Sequence, residues 1–408
     1  MKNGWQTKPI GEVCDIATGG TPSRSKPEYF GGNIKWLVSG DIHLGEIRDC
    51  DGRITEAGMK NSNAKLLPEN SVMIALNGQG KTRGTVALLR TPATCNQSLV
   101  CMTPKQSSGL LPEFLCANLH ERYDEIRRMT SDDDKDRRGL NMGIIRGIEI
   151  PIAPIPEQQR IVGILDEAFA GLATAKANAE KNLQNTRALF ESHLQSVFMQ
   201  RGKGWVERPL GDVCDLLNGF AFKSGDTVQE SQTQLVRMGN LYGNRLNLDR
   251  SPVFYPDSFA KEFKRYLLSE GDLIISLTGT SGKEDYGYAV RIPECGHSLL
   301  MNQRIAKFDS LKDFVHQDFL FFYLRSRAFL DILYPTANGT RQANLSSVTI
   351  KSLPFPLCSV EEQKAIAKGL NRLQEESQRL ASLYEQKVGA LEALKKSLLH
   401  HAFTGQLK

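Results

Sequence analysis

The sequence repeats itself after about half of its length. The segment from Gly4 to Asp15 returns from Gly204 to Asp215, and both copies read Gly-Trp-x-x-x-Pro-x-Gly-x-Val-Cys-Asp. Later matches have offsets between 199 and 206, as expected when loops gain and lose residues: Gly40-Asp41 with Gly239-Asn240, Asn96-Gln97 with Asn302-Gln303, and Glu157-x-Gln159 with Glu361-x-Gln363. A repeat of half the chain predicts two pseudo-equivalent domains, whereas repeats of roughly 20–50 residues predict solenoids. Two similar domains suit a target with two parts, which favours binding over catalysis.

The composition is that of a folded protein with several compact units. The 408 residues exceed what one core usually supports. Hydrophobic residues at 40% and charged residues at 24% exclude a disordered chain. No apolar run approaches the ~18 residues of a membrane span, and the N-terminal residues lack a signal-peptide core, so we expect a cytoplasmic protein without a membrane. The net charge of +5 permits contact with a polyanion without requiring it.

The eight cysteines do not predict a metal site. None of them forms a Cys-x-x-Cys pair, and no paired histidine ligands accompany them. Cys14 and Cys214 recur in the repeat, which small buried residues do for packing reasons. This usage is typical of a reducing compartment.

Each copy of the repeat begins with a mixed segment of strands and ends with a long helix. Short β-type runs bounded by Gly, Asn and Pro are predicted at Ile34–Val38, Val72–Leu76 and Thr85–Leu89, with counterparts at Leu235–Met238, Leu273–Leu277 and Tyr288–Ile292. A helix follows in each copy, at Pro112–Met129 and Val315–Leu333. Both copies therefore predict the same α+β domain.

The two connecting segments have a heptad-like apolar pattern. In the first, the pattern contains Ile161, Leu165, Ala168, Leu172, Ala175, Ala179, Leu183, Thr186, Phe190, His193 and Val197. In the second, it contains Ile366, Leu370, Leu373, Ser377, Leu380, Tyr384, Val388, Leu391, Leu394, Leu398 and His401. Helices of roughly 40 residues span roughly 60 Å, and two such helices are expected to pair as an antiparallel coiled coil. The alternative is a helix packed on one domain core.

Three stretches resemble the specificity (S) subunits of type I restriction–modification systems. They are Pro156–Phe169 at the start of the first long helix, Ser397–Leu407 at the end of the second, and Gly20-Thr-Pro-Ser23 followed by Tyr29, Trp36 and Gly40-Asp41. Their order and the duplication carry the resemblance over essentially the whole chain. The second domain departs from the pattern, with Gly219-Phe-Ala-Phe222 in place of Gly19-Gly-Thr-Pro22.

The resemblance implies an α+β fold with two pseudo-equivalent target-recognition domains separated by two long helices in an antiparallel coiled coil. It places domain 1 at residues 1–154, a central conserved helix at 155–201, domain 2 at 202–357 and a C-terminal conserved helix at 358–408. It also implies a non-catalytic subunit that reads a bipartite, asymmetric site in double-stranded DNA. Partners would be two methyltransferase subunits and two restriction subunits, which would bind S-adenosylmethionine, ATP and Mg²⁺, with no cofactor on this chain.

The residues themselves do not predict a catalytic site. Gly80-Lys81-Thr82 lacks the first glycine of a phosphate-binding loop, since Ala75 stands there. Asp132-Asp133-Asp134 stands beside Lys135, Arg137 and Arg138, a pattern more typical of a solvated loop than of a metal site. An enzyme with an unfamiliar site and a coiled-coil scaffold that never meets DNA remain as alternatives, as does an orphan subunit that supports methylation alone.

Candidate DNA contacts are polar side chains on loops. Arg and Lys pair with guanine or phosphate, and Asn and Gln pair with adenine. In the first domain the candidates are Arg24, Lys26, Asn77, Gln79, Lys81, Thr82, Arg83, Lys135, Arg137 and Arg138. In the second they are Lys223, Asn244, Arg245, Thr280, Ser281, Lys283, Asn338, Arg341 and Gln342. The repeated Asn96-Gln97 and Asn302-Gln303 pairs are expected to have a structural hydrogen-bonding role instead.

Overall fold

The chain divides into two units, each built from one mixed domain and segments of both long helices. The structure is a computed structural model that describes residues 4–78, 80–130, 139–404 and 406–407. Unit 1 comprises Met1–Glu180 and Gln386–Lys408, and unit 2 comprises Lys181–Glu385. Both units contain strands and helices, so the predicted α+β fold with a long helix between the two mixed domains is confirmed.

Unit 1 contains ten strands and five short helices among its described residues. The strands are β1 (Gln6–Pro9), β2 (Cys14–Thr18), β3 (Phe30–Leu37), β4 (Glu46–Ile47), β5 (Arg53–Ile54), β6 (Ser71–Ala75), β7 (Val86–Leu89), β8 (Thr94–Cys95), β9 (Leu99–Pro104) and β10 (Glu149–Ile152). The α-helices are α1 (Ile10–Val13), α2 (Glu56–Lys60), α3 (Pro112–Glu121), α4 (Tyr123–Arg128) and α5 (Met142–Gly147), with 3₁₀ turns at Pro27–Tyr29, Ser39–Leu44 and Gln106–Ser108.

The strands of unit 1 form one central sheet and two smaller ones. The central sheet has the order β2-β9-β6-β7-β4, the three-stranded sheet has the order β5-β3-β8, and β1 pairs with β10. Every residue of β6 and β7 is buried, since helix α3 covers one face of the central sheet and loop residues cover the other. Burial of both faces explains why the apolar runs are nearly continuous rather than alternating.

Unit 2 repeats this arrangement with two four-stranded sheets. Its strands are β11 (Val206–Pro209), β12 (Asp215–Asn218), β13 (Thr233–Val236), β14 (Phe254–Tyr255), β15 (Leu267–Leu268), β16 (Leu273–Ser276), β17 (Thr278–Thr280), β18 (Ala289–Arg291), β19 (Ser298–Met301), β20 (Ile305–Asp309), β21 (Gln342–Asn344) and β22 (Pro354–Leu357). The sheets have the orders β12-β20-β16-β18 and β14-β13-β19-β15, and two further pairs join β11 to β22 and β17 to β21.

The described part of the mixed domain of unit 2 also contains five short helices. The long helix α6 (Ile155–Met199) precedes this domain, and the long helix α12 (Val360–Thr404) follows it. The short helices are α7 (Leu210–Val213), α8 (Ser258–Glu262), α9 (Gln317–Arg325), α10 (Arg327–Leu333) and α11 (Ser347–Ser352). Additional 3₁₀ turns lie at Ser224–Asp226, Met238–Asn244, Lys264–Tyr266 and Tyr334–Thr336. The predicted helix at 315–333 is therefore two helices, because Ser326 has an extended backbone (φ −78°, ψ 152°).

The same aromatic cluster closes the core of each unit. In unit 1, Trp5 packs against Phe114, which also contacts Phe403 from the end of α12, with ring centroids 5.9 and 5.2 Å apart. In unit 2, Trp205 and Phe198 from the end of α6 pack on Phe319 at 5.7 and 5.2 Å. The end of each long helix thus belongs to a domain core rather than to solvent.

Within each unit, the two long helices run antiparallel. In unit 1, Lys176 pairs with Glu392 at 2.7 Å, and the Arg160 side chain donates to the carbonyl oxygen of Leu407 at 3.1 Å. In unit 2, Arg187 pairs with Glu385 at 2.8 Å, and Trp205, just beyond α6, donates to Glu362. As one residue number rises, its partner's number falls, which is the antiparallel pairing predicted from the heptads.

The apolar seam shifts by one residue where the helices join the domain cores. In α6 the buried residues after Phe190 are Leu194 and Phe198; the prediction of His193 is wrong because it is exposed, and Val197 is only partly buried against the core. In α12, Leu380 and Leu394 are 36% and 47% exposed, whereas Leu399 and Ala402 are buried. Contact with a domain surface uses a wider stripe than contact with a single helix, which changes the phase of the pattern.

A buried glutamine joins each mixed domain to its long helix. Gln158 accepts from the N–H of Leu111 and donates to the carbonyl oxygens of Gly109 and Ala153, at 2.9, 2.7 and 2.7 Å. Gln363 makes the same three bonds, at 2.8, 3.0 and 2.9 Å, to His316, Phe314 and Cys358. The equivalent of Gln363 is therefore Gln158, and the sequence alignment with Gln159 is wrong by one residue.

Candidate nucleic-acid interface

In unit 2 the structure joins two of the predicted loops into one surface. Strand β17 pairs antiparallel with β21, and this pairing places Thr280 opposite Gln342. The hydroxyl of Ser281 donates to the carbonyl oxygen of Gly339 at 3.0 Å. Residues predicted from distant parts of the sequence therefore lie on one two-stranded ribbon: Thr280, Ser281 and Lys283 beside Asn338, Arg341 and Gln342.

The turn of this ribbon is held by the Asp285 carboxylate. It accepts hydrogen bonds from the backbone N–H of Thr280 at 2.6 Å and from its hydroxyl at 2.7 Å. Partial burial acts to raise the pKa of Asp285, but the hydrogen bonds from Thr280 outweigh it and hold this pKa below its usual value. The carboxylate is thus ionised and engaged by the turn, while the Lys283 and Arg341 side chains are exposed.

The other predicted residues of unit 2 have different surroundings. Lys223 is exposed, and its carbonyl oxygen accepts from the Tyr255 hydroxyl at 3.1 Å. Asn244 has a φ of 58°, and its side-chain oxygen accepts from the N–H of Ala289 at 2.9 Å, so it stabilises the backbone. Arg245 is exposed. In the described part of the chain, no hydrogen bond or ion pair links these three residues to the β17–β21 ribbon.

In unit 1, side chains of α4 donate hydrogen bonds to the backbone of the predicted loop between β6 and β7. The Arg127 guanidinium donates to the carbonyl oxygens of Gly80 and Arg83 at 2.9 and 3.1 Å, and the Tyr123 hydroxyl donates to that of Lys81 at 2.8 Å. The Lys81 side chain is exposed. Because α4 occupies the carbonyl groups, the loop presents side chains to solvent on a fixed backbone.

The remaining residues of this loop differ in exposure. Asn77 is exposed, and the Thr82 hydroxyl lies 3.0 Å from Nε2 of His43. Arg83 is half-buried, and its Nε is among the buried nitrogens without a hydrogen-bond partner in the described chain. Arg83 is therefore less accessible than Asn77 and Lys81.

The last predicted residues of unit 1 are two exposed side chains near its start and four residues that lie outside the described chain. Arg24 and Lys26 are exposed near a turn, and the Lys26 ammonium donates to the Tyr29 hydroxyl at 3.1 Å. That hydrogen bond raises the pKa of Lys26, which keeps the side chain charged. Four predicted residues lie outside the described chain: Gln79, Lys135, Arg137 and Arg138.

The loop of unit 1 and the ribbon of unit 2 occupy equivalent places in their domains. The N–H of Leu140 donates to the carbonyl oxygen of Leu76 at 3.1 Å, and the N–H of Leu345 donates to that of Leu277 at 2.7 Å. In unit 1 this bond joins the end of β6 to the segment before α5. In unit 2 it joins the end of β16 to the segment before α11. The equivalent placement of these loops, which was inferred from the sequence, is therefore matched by equivalent backbone hydrogen bonds.

An arginine-lined surface of unit 2 was missed by the sequence analysis. Arg237, Arg250 and Arg304 line a cavity of about 430 Å³ together with Gln303 and Asn240. A neighbouring cavity of about 380 Å³ shares Gln303 and Arg304 and adds residues of the ribbon, including Thr278, Gln342 and Asn344. The ribbon and these arginines thus form one continuous polar surface, which we call the arginine track.

The signal for the arginine track was present in the repeat. The side chain of Asn96 accepts from the N–H of Ser98 at 3.0 Å, and that of Asn302 accepts from the N–H of Arg304 at 3.1 Å. The structural role predicted for the repeated Asn-Gln pairs is confirmed for the two asparagines, whereas the glutamines, Gln97 and Gln303, are exposed. The residue two positions further on differs between the copies, and its exposed arginine in unit 2 could have been noticed.

The described residues hold no group of three or more His, Cys, Asp or Glu side chains with the geometry of a metal site. The Asp132–Asp134 run lies outside the described chain. Burial raises the pKa of the Cys14 and Cys214 thiols to about 12, as expected for packing residues. In the described parts of the chain, no helix combines the length and apolar character needed to span a bilayer.

Two mixed domains, each associated with a long helix and each carrying polar loops after an equivalent central strand, define the class of protein. Residues 2–183 and 202–385 match the family of type I restriction modification DNA specificity domains. The chain therefore belongs to this family, and its two mixed domains are DNA target-recognition domains. The resemblance to type I specificity subunits is confirmed.

Three specificity subunits are similar to this chain at 22–30% identity. The chain is 30% identical to the EcoR124I/EcoR124II specificity subunit of Escherichia coli over 40% of each chain, and 24% identical to the MjaVIII specificity subunit of Methanocaldococcus jannaschii over 65% of this chain and 63% of the relative. With the EcoKI specificity subunit of Escherichia coli K12, identity is 22% over all of this chain and 90% of the relative. The match thus spans less than two thirds of the first two relatives.

Two solved structures have the same fold. A chain from a type I R-M system, solved in work on complex assembly and conformational transition, has a TM-score of 0.78 at 18% identity and covers 100% of this chain and 99% of its own. The HsdS subunit from Thermoanaerobacter tengcongensis has a TM-score of 0.60 at 17% identity, covering 100% and 98%. At such low identity the likeness concerns the fold.

Proposed function

We propose that the chain recognises a bipartite, asymmetric site in double-stranded DNA, with one half read by each target-recognition domain. The observation that carries this proposal is the pair of Asn turns. In both turns the asparagine side-chain oxygen accepts from the N–H two residues further on, yet that residue is Ser98 in unit 1 and Arg304 in unit 2. Two domains with the same turn but different hydrogen-bond donor side chains suit two different half-sites. Base identity is read by side-chain hydrogen bonds in the groove.

In unit 2 the arginine track supplies the donors for direct reading. Gln303 and the exposed Arg304 and Arg341 offer paired hydrogen bonds of the kind that suit adenine and guanine. Arg237 is half-buried and donates to the carbonyl oxygen of Ser251, which suits a phosphate contact that sets register. Lys283 on the ribbon suits the same role.

In unit 1 the proposed readers are fewer and less cationic. Asn77 and Lys81 project from the loop that α4 holds. Gln97 is exposed, and its side-chain oxygen accepts from the Thr21 hydroxyl at 2.7 Å, so its amide NH₂ group is the part available to a base. The half-site of unit 1 is therefore expected to rely more on amide groups than on guanidinium groups.

Partner subunits would supply the chemistry. The chain would dock two methyltransferase subunits and, in the full enzyme, two restriction subunits, with S-adenosylmethionine, ATP and Mg²⁺ bound by them. Exposed apolar side chains on the long helices support a docking role, since Leu189 of α6 and Leu383 of α12 are 62% and 48% exposed. The helices would also set the spacer between the half-sites, and inserting or deleting four residues in 170–190 or 375–390 should change it.

The decisive experiment is co-expression of the chain with its methyltransferase subunit in a host that lacks both, followed by mapping of methylated bases. A split motif with a fixed non-specific gap is the expected result. A continuous motif would contradict the two-domain reading. No methylation, despite a stable complex and an active methyltransferase, would favour a scaffold without DNA recognition. Methylation by the purified chain alone would favour an enzyme.

Docking is tested separately by the Leu189→Glu, Leu383→Glu double variant. It should lose co-elution with the methyltransferase subunit, because two charges would be placed in an apolar contact. Leu66→Glu is the matched control, since Leu66 is 60% exposed in the mixed domain of unit 1. Equal co-elution of both variants would refute docking at these leucines.

A further inference from the structure

A second arginine-rich cavity lies within unit 2, where α6 and α12 meet the mixed domain. It has a volume of about 430 Å³. Four arginines line it: Arg187, Arg245, Arg291 and Arg325. The polar part of the wall also contains the carboxylate of Glu191, the amide of Asn244 and neutral side chains of α12, namely Asn371, Gln374, Ser377 and Gln378. A third cavity, lined by Arg245 and Leu246 as well as by Asn240 and Arg250, lies between this cavity and the arginine track.

The arginines of this cavity are incompletely neutralised. Arg187 pairs with Glu385 and Arg291 pairs with Asp318. Among the described residues, Arg245 and Arg325 have no carboxylate within salt-bridge distance. Arg325, which is partly buried, suits an anionic ligand, because charges taken from water are otherwise paired or hydrogen-bonded, and the exposed Arg245 adds a second positive charge to the wall.

Arg325 is the most deeply placed of the four. Its guanidinium lies over the rings of Phe321 and Phe190, 5.0 and 5.8 Å from their centroids, and donates to the side-chain oxygen of Gln374 at 3.0 Å. The Nε atoms of Arg325 and Arg291 are buried without a hydrogen-bond partner in the described chain. Burial is the largest effect on the pKa of Arg325 and lowers it; the Glu191 carboxylate acts to raise it and the nearby Arg245 to lower it, and this pKa lies below its usual value. An anion would offset both lowering effects.

The equivalent cavity of unit 1 has the opposite charge. It is about 140 Å³ in volume, and Glu46, Arg90, Glu113, His120 and Asp166 line it. Arg90 pairs with Glu46 at 3.1 Å and with Glu113 at 2.6 Å.

At three lining positions unit 2 reverses or removes the charge, whereas the carboxylate of Glu113 is retained as Asp318. By the offsets of the repeat, Arg245 replaces Glu46, Arg325 replaces His120, and Asn371 replaces Asp166. The fold therefore accommodates either charge, and the positive cavity is a property of unit 2 rather than a requirement of the scaffold.

We propose that the cavity of unit 2 binds a small phosphorylated anion, with Arg325 and Arg245 donating to its phosphoryl oxygens. The volume lies within the range of small-ligand sites. Guanidinium groups match phosphoryl oxygens by paired hydrogen bonds, and a phosphoryl group offers three acceptor oxygens to the several donors of the wall, whereas a carboxylate offers two. This site does not depend on the proposed DNA specificity.

The test is calorimetric titration of the full-length chain with inorganic phosphate and with pyrophosphate at a constant ionic strength set by sodium chloride. Saturable binding is expected, weakened about tenfold or more in Arg325→Met and in Arg245→Glu, which introduces the residue of unit 1. Arg379→Met is the matched control, because Arg379 lies on α12 outside the cavity with its side chain 64% exposed. Its affinity should equal that of the wild type.

Three results would overturn the proposal. They are an absence of saturable binding, equal binding by the wild type and both cavity variants, and loss of affinity for a 12-base-pair duplex of unrelated sequence with pyrophosphate binding unchanged. The last result would assign the arginines to DNA backbone phosphates instead. If circular dichroism shows that Arg325→Met is unfolded, the exposed Arg245→Glu variant decides the question alone.

Discussion

The Asn turn of unit 1 and that of unit 2 have the same hydrogen bond and end in different side chains. The capping positions before them behave likewise, since Asp41 accepts from the N–H of Val38 at 2.7 Å and Asn240 accepts from that of Arg237 at 2.9 Å. In both comparisons the residue that holds the backbone is retained or replaced by a similar one, while its neighbour changes from uncharged to arginine. The residues that hold the backbone are thus similar in the two copies, while the side chains next to them differ.

The same contrast is stronger where the mixed domains join the long helices. There the residue that holds the backbone is identical, and the charge that prevails in the adjoining cavity differs in sign. Gln158 and Gln363 make matching sets of three hydrogen bonds, yet the adjoining cavities are carboxylate-rich in unit 1 and arginine-rich in unit 2. Backbone groups must be paired in both copies, which restricts the glutamine. Side chains facing a cavity have no such restriction, so they are free to diverge.

The largest expected effect concerns the helix ends that close the cores. Phe198→Ala should lower the free energy of unfolding of unit 2 by about 3–5 kcal/mol, because Phe198 is fully buried against Phe319 and Tyr323. Phe403→Ala should cost unit 1 less, since Phe403 is only partly buried. Hydrogen exchange of β16 and β6 amides in urea measures each unit. An equal or larger loss from Phe403→Ala would contradict the burial argument.

The next effect tests whether the two scaffolds are equivalent. Gln158→Leu and Gln363→Leu should each cost about 3 kcal/mol or more, because three buried backbone groups lose their partners in each case. Gln159→Leu is the control and should change the free energy of unfolding by less than about 0.5 kcal/mol, since Gln159 is exposed. Urea unfolding monitored by the same amides gives these values. A large effect of Gln159→Leu would restore the alignment suggested by sequence alone.

A smaller effect tests whether the surfaces are independent of each other. Arg304→Ala should cost about 1–3 kcal/mol of discrimination at one half-site and leave the other half-site unchanged. Ser98→Ala, at the equivalent turn, should have a smaller effect confined to the opposite half. Methylation mapping of each variant, co-expressed with the methyltransferase subunit, measures both halves. Relaxation of both halves by Arg304→Ala would show that the domains do not read separately.

The smallest effect concerns the carboxylate-rich cavity of unit 1. Burial first, and then Glu46 and Glu113, raise the pKa of Asp166 above its usual value. The folded state therefore binds this proton more tightly than the unfolded state does, and the ionised carboxylate is unfavourable once the pH exceeds the raised pKa. Asp166→Asn, which introduces the residue of unit 2, should stabilise unit 1 at pH 7 by a few tenths of a kcal/mol, allowing for solvent screening.

This gain should shrink as the pH falls below the usual pKa of an aspartate, because the wild-type carboxyl becomes mostly protonated in both states. Thermal unfolding at pH 7 and pH 3.5 distinguishes the two cases. The reverse variant, Asn371→Asp, is the comparison in unit 2, where the added carboxylate would face arginines and should not be unfavourable. A gain from Asp166→Asn that persists in full at pH 3.5 would exclude a charge effect.

The predicted strands and long helices were found within a few residues because their signals are local. Continuous apolar runs at β6, β7 and β16 and the heptad patterns of α6 and α12 depend on neighbours in the sequence. The helix phase at 193–198 was wrong because burial there depends on a domain surface that the heptad pattern does not contain. The break at Ser326 was missed for a related reason, since no proline or glycine marks it.

The candidate site was predictable as a set of loops but not as a surface. Equivalent positions in a duplicated sequence indicated the loop after β6 and the segment after β16. Asn244 carried the right side-chain chemistry, yet its oxygen accepts a backbone hydrogen bond from Ala289. Whether an amide reads a base or holds a turn depends on which N–H group lies within 3 Å, and sequence spacing does not contain that distance.

The sequence by itself determined the duplication, the α+β class, the pair of long helices and the specificity family, because all of these follow from patterns repeated along the chain. Only the tertiary structure decided which distant residues meet. It placed Thr280 opposite Gln342, brought Arg304 beside Arg237 and Arg250, and collected four arginines around one cavity in unit 2. The physical reason is that contacts between separated residues depend on how sheets and helices pack, and packing is settled by the burial of the whole core rather than by any local pattern.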